Sequence, residues 1–156
     1  MKRREFLLGS GCAGLALSPL ALALAACGRE SALPDGMAEI KWDRDTCTRC
    51  TMVISDRRFA AEIRGGPKGE LFKFDDIGCA LCWLKAQKWG GEAAARIWVA
   101  DSTAGGTRWL DARQAQFVDG HASPMGYGFA ALAQSQSGSV GFDEMHGKVM
   151  AKEFCS

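Results

Sequence analysis

Three sulfur-bearing side chains fall within six residues of this chain and could bind a soft metal ion. Cys47 and Cys50 supply two thiols in a C-x-x-C pair, and Met52 adds a thioether. Thiolate and thioether ligands select Cu(I) among the common biological metals. Residues 50 and 52 are two apart, so in an extended segment their side chains share one face, as ligands of one ion must. The stretch therefore predicts a Cu(I) site.

A second C-x-x-C pair, Cys79 and Cys82, leaves several uses open. The pair is consistent with a structural disulfide, a second metal or redox site, or buried small residues. Together with the first pair it also has the spacing of a four-thiolate zinc domain. A periplasmic thiol–disulfide function is a further alternative, because a helix N-terminus beginning near Asp76 would lower the pKa of Cys79, although the acidic residues there oppose thiolate formation.

The first 26 residues predict a signal peptide. A basic start that includes Arg3 and Arg4 is similar to a twin-arginine signal, and a run of apolar and small residues follows it. The run ends in Ala-Ala before Cys27, which is typical of a bacterial lipobox with lipid attached to that cysteine. We therefore expect a lipid-anchored protein on the periplasmic side of a bacterial membrane, with residues 27–44 as a flexible tether and 45–156 as the functional domain.

Charge and cysteine count narrow the functions further. Removing the leader from a chain of 19 basic and 18 acidic residues takes away three basic residues and one acidic residue. The mature chain is then nearly neutral, which gives no electrostatic case for nucleic-acid binding. Five cysteines remain besides Cys27, an odd number that cannot all pair within one chain. Cys155, next to the last residue, is not assigned to the site.

The pattern of residues places both cysteine pairs on elements of an α+β fold. Two strands around the glycine-rich segment 65–69 predict a β-hairpin, and apolar spacing predicts a helix over 77–89 that ends at Gly90. Further along, we expect strands at 96–100, 107–111, 116–118 and 126–132, a short helix at 112–116, and a terminal helix at 143–154.

Three blocks of this sequence, in this order, resemble the NosL family. They are Cys-x-x-Cys-x-Met-x-Ile-x-Asp from Cys47 to Asp56 with Phe-Ala-Ala-Glu-Ile after it, Phe-Asp-Asp-Ile-Gly-Cys ending at Cys79, and Pro-Met-Gly around Met125. Family members are lipoproteins that bind Cu(I) and supply the copper centres of nitrous oxide reductase. The resemblance implies two small βαββ-like halves side by side, and copper contacts at Cys50, Met52 and Met125, with Cys47 next.

The resemblance also implies partners, and the sequence departs from the family pattern in two places. The implied partners are a copper-dependent apo-enzyme, foremost nitrous oxide reductase with its ABC-type maturation machinery, and the membrane through Cys27. Cys82 is an addition to the pattern, and a shortened segment at 134–139 predicts a truncated second half. His121, four residues before Met125, is a further candidate ligand.

No catalytic constellation stands out in the sequence. The chain has two histidines, too few for most hydrolytic metal sites, and its glycine-rich turns lack a phosphate-loop pattern. A carbon–mercury lyase, whose fold this family partly shares, would also use cysteines to hold a soft metal, but no acid is singled out to protonate carbon. We therefore expect a carrier of Cu(I) that works by ligand exchange and is not an enzyme.

Overall fold

The predicted hairpin forms one side of a four-stranded antiparallel sheet. The computed structural model describes residues 33–89, 95–106 and 108–155. Strands β1 (Ala61–Gly65) and β2 (Glu70–Phe74) pair directly, β3 (Arg96–Ala100) pairs with the other edge of β1, and β4 (Trp109–Asp111) pairs with β3. The resulting strand order is β2-β1-β3-β4.

A single helix packs across this sheet and carries the second cysteine pair. Helix α1 (Ile77–Lys85) begins at Asp76, whose carboxylate accepts a hydrogen bond from the Gly78 amide and so caps the helix. The prediction of a helix here is confirmed, but α1 ends at Lys85 and not at residue 89. The predicted stop at Gly90 and Gly91 lies outside the described residues. Nearly every side chain of α1 is buried, so the helix belongs to the core.

The second part of the chain is smaller. Strands β5 (Gln116–Val118) and β6 (Ala130–Leu132) form a two-stranded antiparallel sheet, and helix α2 (Phe142–Met150) follows with a 3-10 turn at Glu153–Cys155. Helix α2 packs against both α1 and β5. Two small sheets with two helices confirm the α+β class, and the second sheet has only two strands.

Two predicted elements were wrong in the second part. The expected helix at 112–116 is a single turn, in which the Gln114 and Ala115 amides both donate to the Asp111 carbonyl before the chain enters β5 at Gln116. The expected strand at 126–132 begins only at Ala130. Gly126 and Gly128 have φ values of +72° and +85°, which are not compatible with an extended strand.

The segment before the sheet is fastened to it. The Gly36 carbonyl accepts from Arg64 at 2.7 Å, the Ala38 amide donates to Glu62 at 2.7 Å, and the Glu39 carbonyl accepts from Lys73 at 2.5 Å. The part of the predicted tether from Gly36 onward is therefore packed against the domain. The signal peptide and Cys27 lie outside the described residues, and within those that are described no helix is long and apolar enough to span a bilayer.

Candidate metal centre

The first C-x-x-C pair lies on a tight loop that turns back on itself. The Cys47 amide donates to the Met52 carbonyl at 2.8 Å, and the Thr51 amide donates to the Cys47 carbonyl at 2.9 Å. Thr51 has a φ of +65°, a conformation that a β-branched residue rarely adopts. This left-handed backbone conformation at Thr51 closes the loop after its two cysteines and turns the chain before Met52.

A backbone hydrogen bond fastens this loop to the hairpin next to Asp75. The Thr48 amide donates to the carbonyl of Lys73 at 2.8 Å, at the end of β2 and two residues before Asp75. The chain then enters α1, where Cys79 lies in the first turn. The loop, the end of β2 and the start of α1 therefore converge on one point.

Four potential metal ligands meet at that point. One ligand atom each from Cys47, Cys50, Asp75 and Cys79 lies within 4.8 Å of every other, which makes this group, hereafter the thiol cluster, able to hold a metal ion. Cys47, Asp75 and Cys79 are buried, while Cys50 is half-buried and lies at the open side. The Cys50 thiol is 3.5 Å from the nearer oxygen of Asp75.

The groups of the thiol cluster compete for protons. A hydrogen bond from the Cys79 thiol lowers the pKa of Cys47 to about 4, and the same hydrogen bond, with burial, raises the pKa of Cys79. Burial raises the pKa of Cys50 to about 11. Of the three thiols, Cys47 therefore ionises most readily, while Cys50 and Cys79 hold their protons more firmly. A metal that binds all three sulfurs must displace protons.

Asp75 shares in this proton competition. Burial, together with a hydrogen bond to Cys47, raises the pKa of Asp75 to about 6. Its neighbour Asp76 also has a raised pKa because it is buried, although hydrogen bonds from Ser123 and Gly78 oppose the shift. Two adjacent buried carboxyl groups thus lie between the cysteine loop and the start of α1.

The two candidate methionines lie on either side of these carboxyls in the chain. Met52 ends the cysteine loop, and its side chain is 50 % exposed. Met125 is half-buried against the core, and its amide donates to Asp76 at 3.3 Å. The Pro-Met-Gly loop is therefore attached one residue away from Asp75. The roles of both thioethers as metal ligands stay predictions.

His121 is not part of the thiol cluster. Its side chain is exposed, and its ring lies 6.4 Å from that of Phe59, centroid to centroid. Its amide donates to the Gly128 carbonyl, which helps to close the Pro-Met-Gly loop. The histidine is thus placed near this loop, and the prediction that it binds metal has no support in the geometry of the cluster.

The second C-x-x-C pair is divided between two structures. Cys79 joins the thiol cluster, whereas Cys82 forms a disulfide with Cys155, 73 residues away in the sequence. Among the uses left open for this pair, a disulfide between Cys79 and Cys82 is excluded by this pairing, and so is the alternative of a zinc site built on four thiolates that include Cys82. Once Cys82 is oxidised it has no thiolate to offer a metal. Cys155, which its place next to the last residue did not mark as part of a site, is buried.

Asp75 was also missed as a potential ligand. On sequence alone, Asp75 stands out only as a charge that opposes thiolate formation at Cys79. Its position directly after a strand and before a helix cap is the signal that could have revealed it, because residues at such junctions lie where the edge of a sheet and the end of a helix meet. Its burial beside three thiols follows only from how α1 packs on the sheet.

Comparison with known proteins identifies the fold and the family. The family model described as NosL matches residues 39–153. The crystal structure of the copper chaperone NosL from Shewanella denitrificans is similar in fold, with a TM-score of 0.59 and 17 % sequence identity over 71 % of this chain and 96 % of that one. No curated protein matches the sequence significantly.

Proposed function

This chain belongs to the NosL family, and from that premise we propose that it is a Cu(I) metallochaperone that passes its ion to a partner by ligand exchange. The observation that carries the proposal is the thiol cluster, in which three cysteine sulfurs and a carboxylate oxygen lie within 4.8 Å of one another. The solved structure that this chain resembles is named a copper chaperone.

The chemistry of the cluster suits a copper carrier. Cu(I) is soft and is satisfied by two or three sulfur ligands, so Cys47, Cys50 and Cys79 provide enough donors without enclosing it. Cys50 is half-buried and Met52 is half exposed, which leaves one side of the site open to solvent. A partner's thiolate or thioether can enter on that side before the chaperone's own ligands leave.

The methionines complete the proposed ligand set. Met52 follows Cys50 on the same loop, and Met125 is fastened to the residue next to Asp75. A thioether is neutral and binds Cu(I) more weakly than a thiolate, so it adds selectivity for the soft ion while it keeps exchange fast. We assign Cys47, Cys50, Met52 and Met125 as the copper ligands, of which Cu(I) needs two or three at a time. Cys79, a further candidate from the sequence, lies close enough to the two thiols to take one of these places.

The proposed cellular location and partners rest on the signal peptide and on the family. We propose that the mature chain is anchored by lipid on Cys27 at the periplasmic side of a bacterial membrane, and that its client is nitrous oxide reductase with the ABC-type machinery that matures it. The chain acts as a carrier and not as an enzyme, and nucleic acid is not among its partners. Copper transfer from the loaded domain to the apo-reductase, monitored through the absorption spectrum of the reductase, tests whether this enzyme is the client.

A competition titration tests the copper site itself. The protein, with the Cys82–Cys155 disulfide intact and Cys47, Cys50 and Cys79 as free thiols, is titrated anaerobically with Cu(I) against a chromogenic chelator, and in parallel with Zn²⁺. The variants are Cys50→Ser, Met52→Leu and Met125→Leu, with Ser102→Ala as a control because its hydroxyl donates to the backbone carbonyl of Ala131 in β6. Leucine keeps the volume of methionine and removes only the sulfur.

The proposal predicts tight binding of one Cu(I), weakened in all three variants and unchanged in Ser102→Ala. Three thiolates and a carboxylate could also form a closed tetrahedral zinc site. Tight Zn²⁺ binding that is indifferent to both methionine substitutions, with weak Cu(I) binding, would replace the carrier by a structural metal domain.

A further inference from the structure

Asp76 uses its two carboxylate oxygens on two different elements. Oδ1 accepts a hydrogen bond from the Gly78 amide at 2.9 Å and caps α1. Oδ2 accepts from the Ser123 hydroxyl at 2.6 Å and from the Met125 amide at 3.3 Å. The carboxylate is fully buried. A helix cap requires only one of these oxygens, and an uncharged serine or asparagine serves that purpose equally well, so the second oxygen has a separate use.

Ser123 makes the Pro-Met-Gly loop a closed unit. Its hydroxyl accepts from the Gly128 amide at 2.9 Å, while its carbonyl accepts from the Gly126 amide at 3.0 Å. The segment from Ser123 to Gly128 is therefore closed by one backbone hydrogen bond and by the Ser123 side chain. The Ser123 hydroxyl in turn donates to Asp76, so the loop is hydrogen-bonded to the start of α1.

The same carboxylate is adjacent to the thiol cluster. Asp76 follows Asp75 directly, and Cys79 lies one helical turn further along α1. The helix that carries Cys79 and the loop that carries Met125 are thus joined through one buried side chain. A shift of the loop relative to the helix requires that the hydrogen bonds at Oδ2 break.

We propose that Asp76, acting through Ser123, is a positioning residue that holds the Met125 thioether at the copper site. The inference rests on the proposed function, because it takes Met125 to be a ligand. Asp76 itself does not bind the metal. Its role is to fix a ligand that would otherwise lie on a separate loop, and preorganisation of this kind strengthens binding because less freedom is lost when the ion enters.

A double-mutant cycle separates positioning from other effects. Asp76→Asn keeps an oxygen for the Gly78 amide and therefore the helix cap, but it turns an amide NH₂ toward the Met125 N–H. Ser123→Ala removes the same connection without changing any charge. Each is measured for Cu(I) affinity alone and combined with Met125→Leu, with Ser102→Ala as the control and thermal unfolding recorded for every variant.

We expect Asp76→Asn and Ser123→Ala each to weaken Cu(I) binding by about three- to tenfold, the range for one lost hydrogen bond. In the Met125→Leu background the same substitutions should change the affinity less than about twofold. X-ray absorption at the copper edge should show one sulfur fewer in Ser123→Ala, and Ser123→Thr, which retains the hydroxyl, should restore it.

Other results overturn the inference in distinguishable ways. Equal losses in both backgrounds would mean that Asp76 acts through charge or stability and not through Met125. Unchanged affinity in Asp76→Asn and Ser123→Ala would mean that the loop needs no such attachment. Unchanged affinity in Met125→Leu would remove the ligand on which the inference depends, while leaving a copper site at the cysteines. Failure of the unmodified protein to bind Cu(I) would overturn the proposed function itself.

Discussion

Cys79 and Cys82 lie one turn apart on the same helix, yet they belong to different regions of the molecule. Cys79 contributes a free thiol to the cluster with Cys47, Cys50 and Asp75, while Cys82 closes a covalent link to Cys155. The first region gathers residues from a loop, a strand end and a helix start. The second joins the middle of α1 to the last turn of the chain.

The difference shows that C-x-x-C spacing does not decide what a cysteine does. What decides is the element that packs against each turn of the helix. The first turn of α1 faces the cysteine loop, and the second faces the segment after α2. Tyr127 lies between the two regions, because its hydroxyl accepts from Arg49 of the loop at 3.0 Å and lies 3.2 Å from the Cys82 sulfur.

Removing the disulfide should have the largest effect on stability and none on the metal site. The link joins residues 73 apart, and closing a loop of that length typically contributes about 2–4 kcal/mol to the free energy of unfolding. We expect the double variant Cys82→Ser/Cys155→Ser to lose about that much in guanidinium unfolding, and to bind one Cu(I) as before. Loss of copper binding in this variant would show that the two regions are not independent.

Removing the Cys79 thiol should have the opposite effect, with a large loss of copper affinity while the disulfide remains. Cys79→Ser deletes a proposed metal ligand but leaves the disulfide in place, so we expect Cu(I) affinity to fall by about 100-fold or more. The chelator titration used for the other variants measures this loss. Affinity equal to that of the unmodified protein would confine the copper to the loop and the methionines, and would make Cys79 a hydrogen-bond donor to Cys47 only.

Asp75 should make the stability of the apo protein depend on pH. Burial raises its pKa in the folded state from 3.8 to about 6, so the folded chain binds this proton more tightly than the unfolded chain. Its contribution to stability is present below about pH 4 and is lost as the pH rises through about 6. Asp75→Asn should therefore gain stability relative to the unmodified protein between pH 4 and pH 7 in denaturant titrations. A constant difference across this range would contradict the raised pKa.

Tyr127→Phe should have the smallest effect and should report on the link between the two regions. The substitution keeps the ring, which packs so closely on α1 that a side chain at Gly78 would collide with it. It removes only the hydroxyl between Arg49 and the disulfide, which should cost about 0.5–1.5 kcal/mol of unfolding free energy. A loss of several kcal/mol, or of copper affinity, would show that the hydroxyl couples the regions strongly.

The parts of the fold that depend on neighbouring residues were predictable from the sequence. Glycine-rich turn residues and flanking apolar strands indicated the hairpin, and Asp76 before an apolar helical pattern indicated α1. The proximity of Cys47 and Cys50 followed from their spacing alone. The helix expected at 112–116 was wrong because only one turn forms there before the chain enters β5.

The parts of the site that depend on distant contacts were not predictable. Cys155 pairs with Cys82 only because the segment after α2 returns to α1, and five cysteines allow too many pairings for spacing to choose among them. Asp75 joins the three thiols because a strand end and a helix start meet the cysteine loop in space. The family resemblance indicated Met125 as a candidate copper ligand, but the hydrogen bonds between its loop and Asp76 are visible only in the structure.

Because Gly36, Ala38 and Glu39 are hydrogen-bonded to the sheet, the distance between the domain and a lipid on Cys27 is limited. Gly36 follows Cys27 by nine positions in the chain, and an extended chain advances at most about 3.5 Å per residue. With lipid on Cys27, Gly36 would remain within about 30 Å of the bilayer surface. Copper transfer would then be confined to a thin layer along the membrane, and an acceptor would have to approach within that layer. A longer segment between Cys27 and Gly36 would widen the layer without altering the metal site.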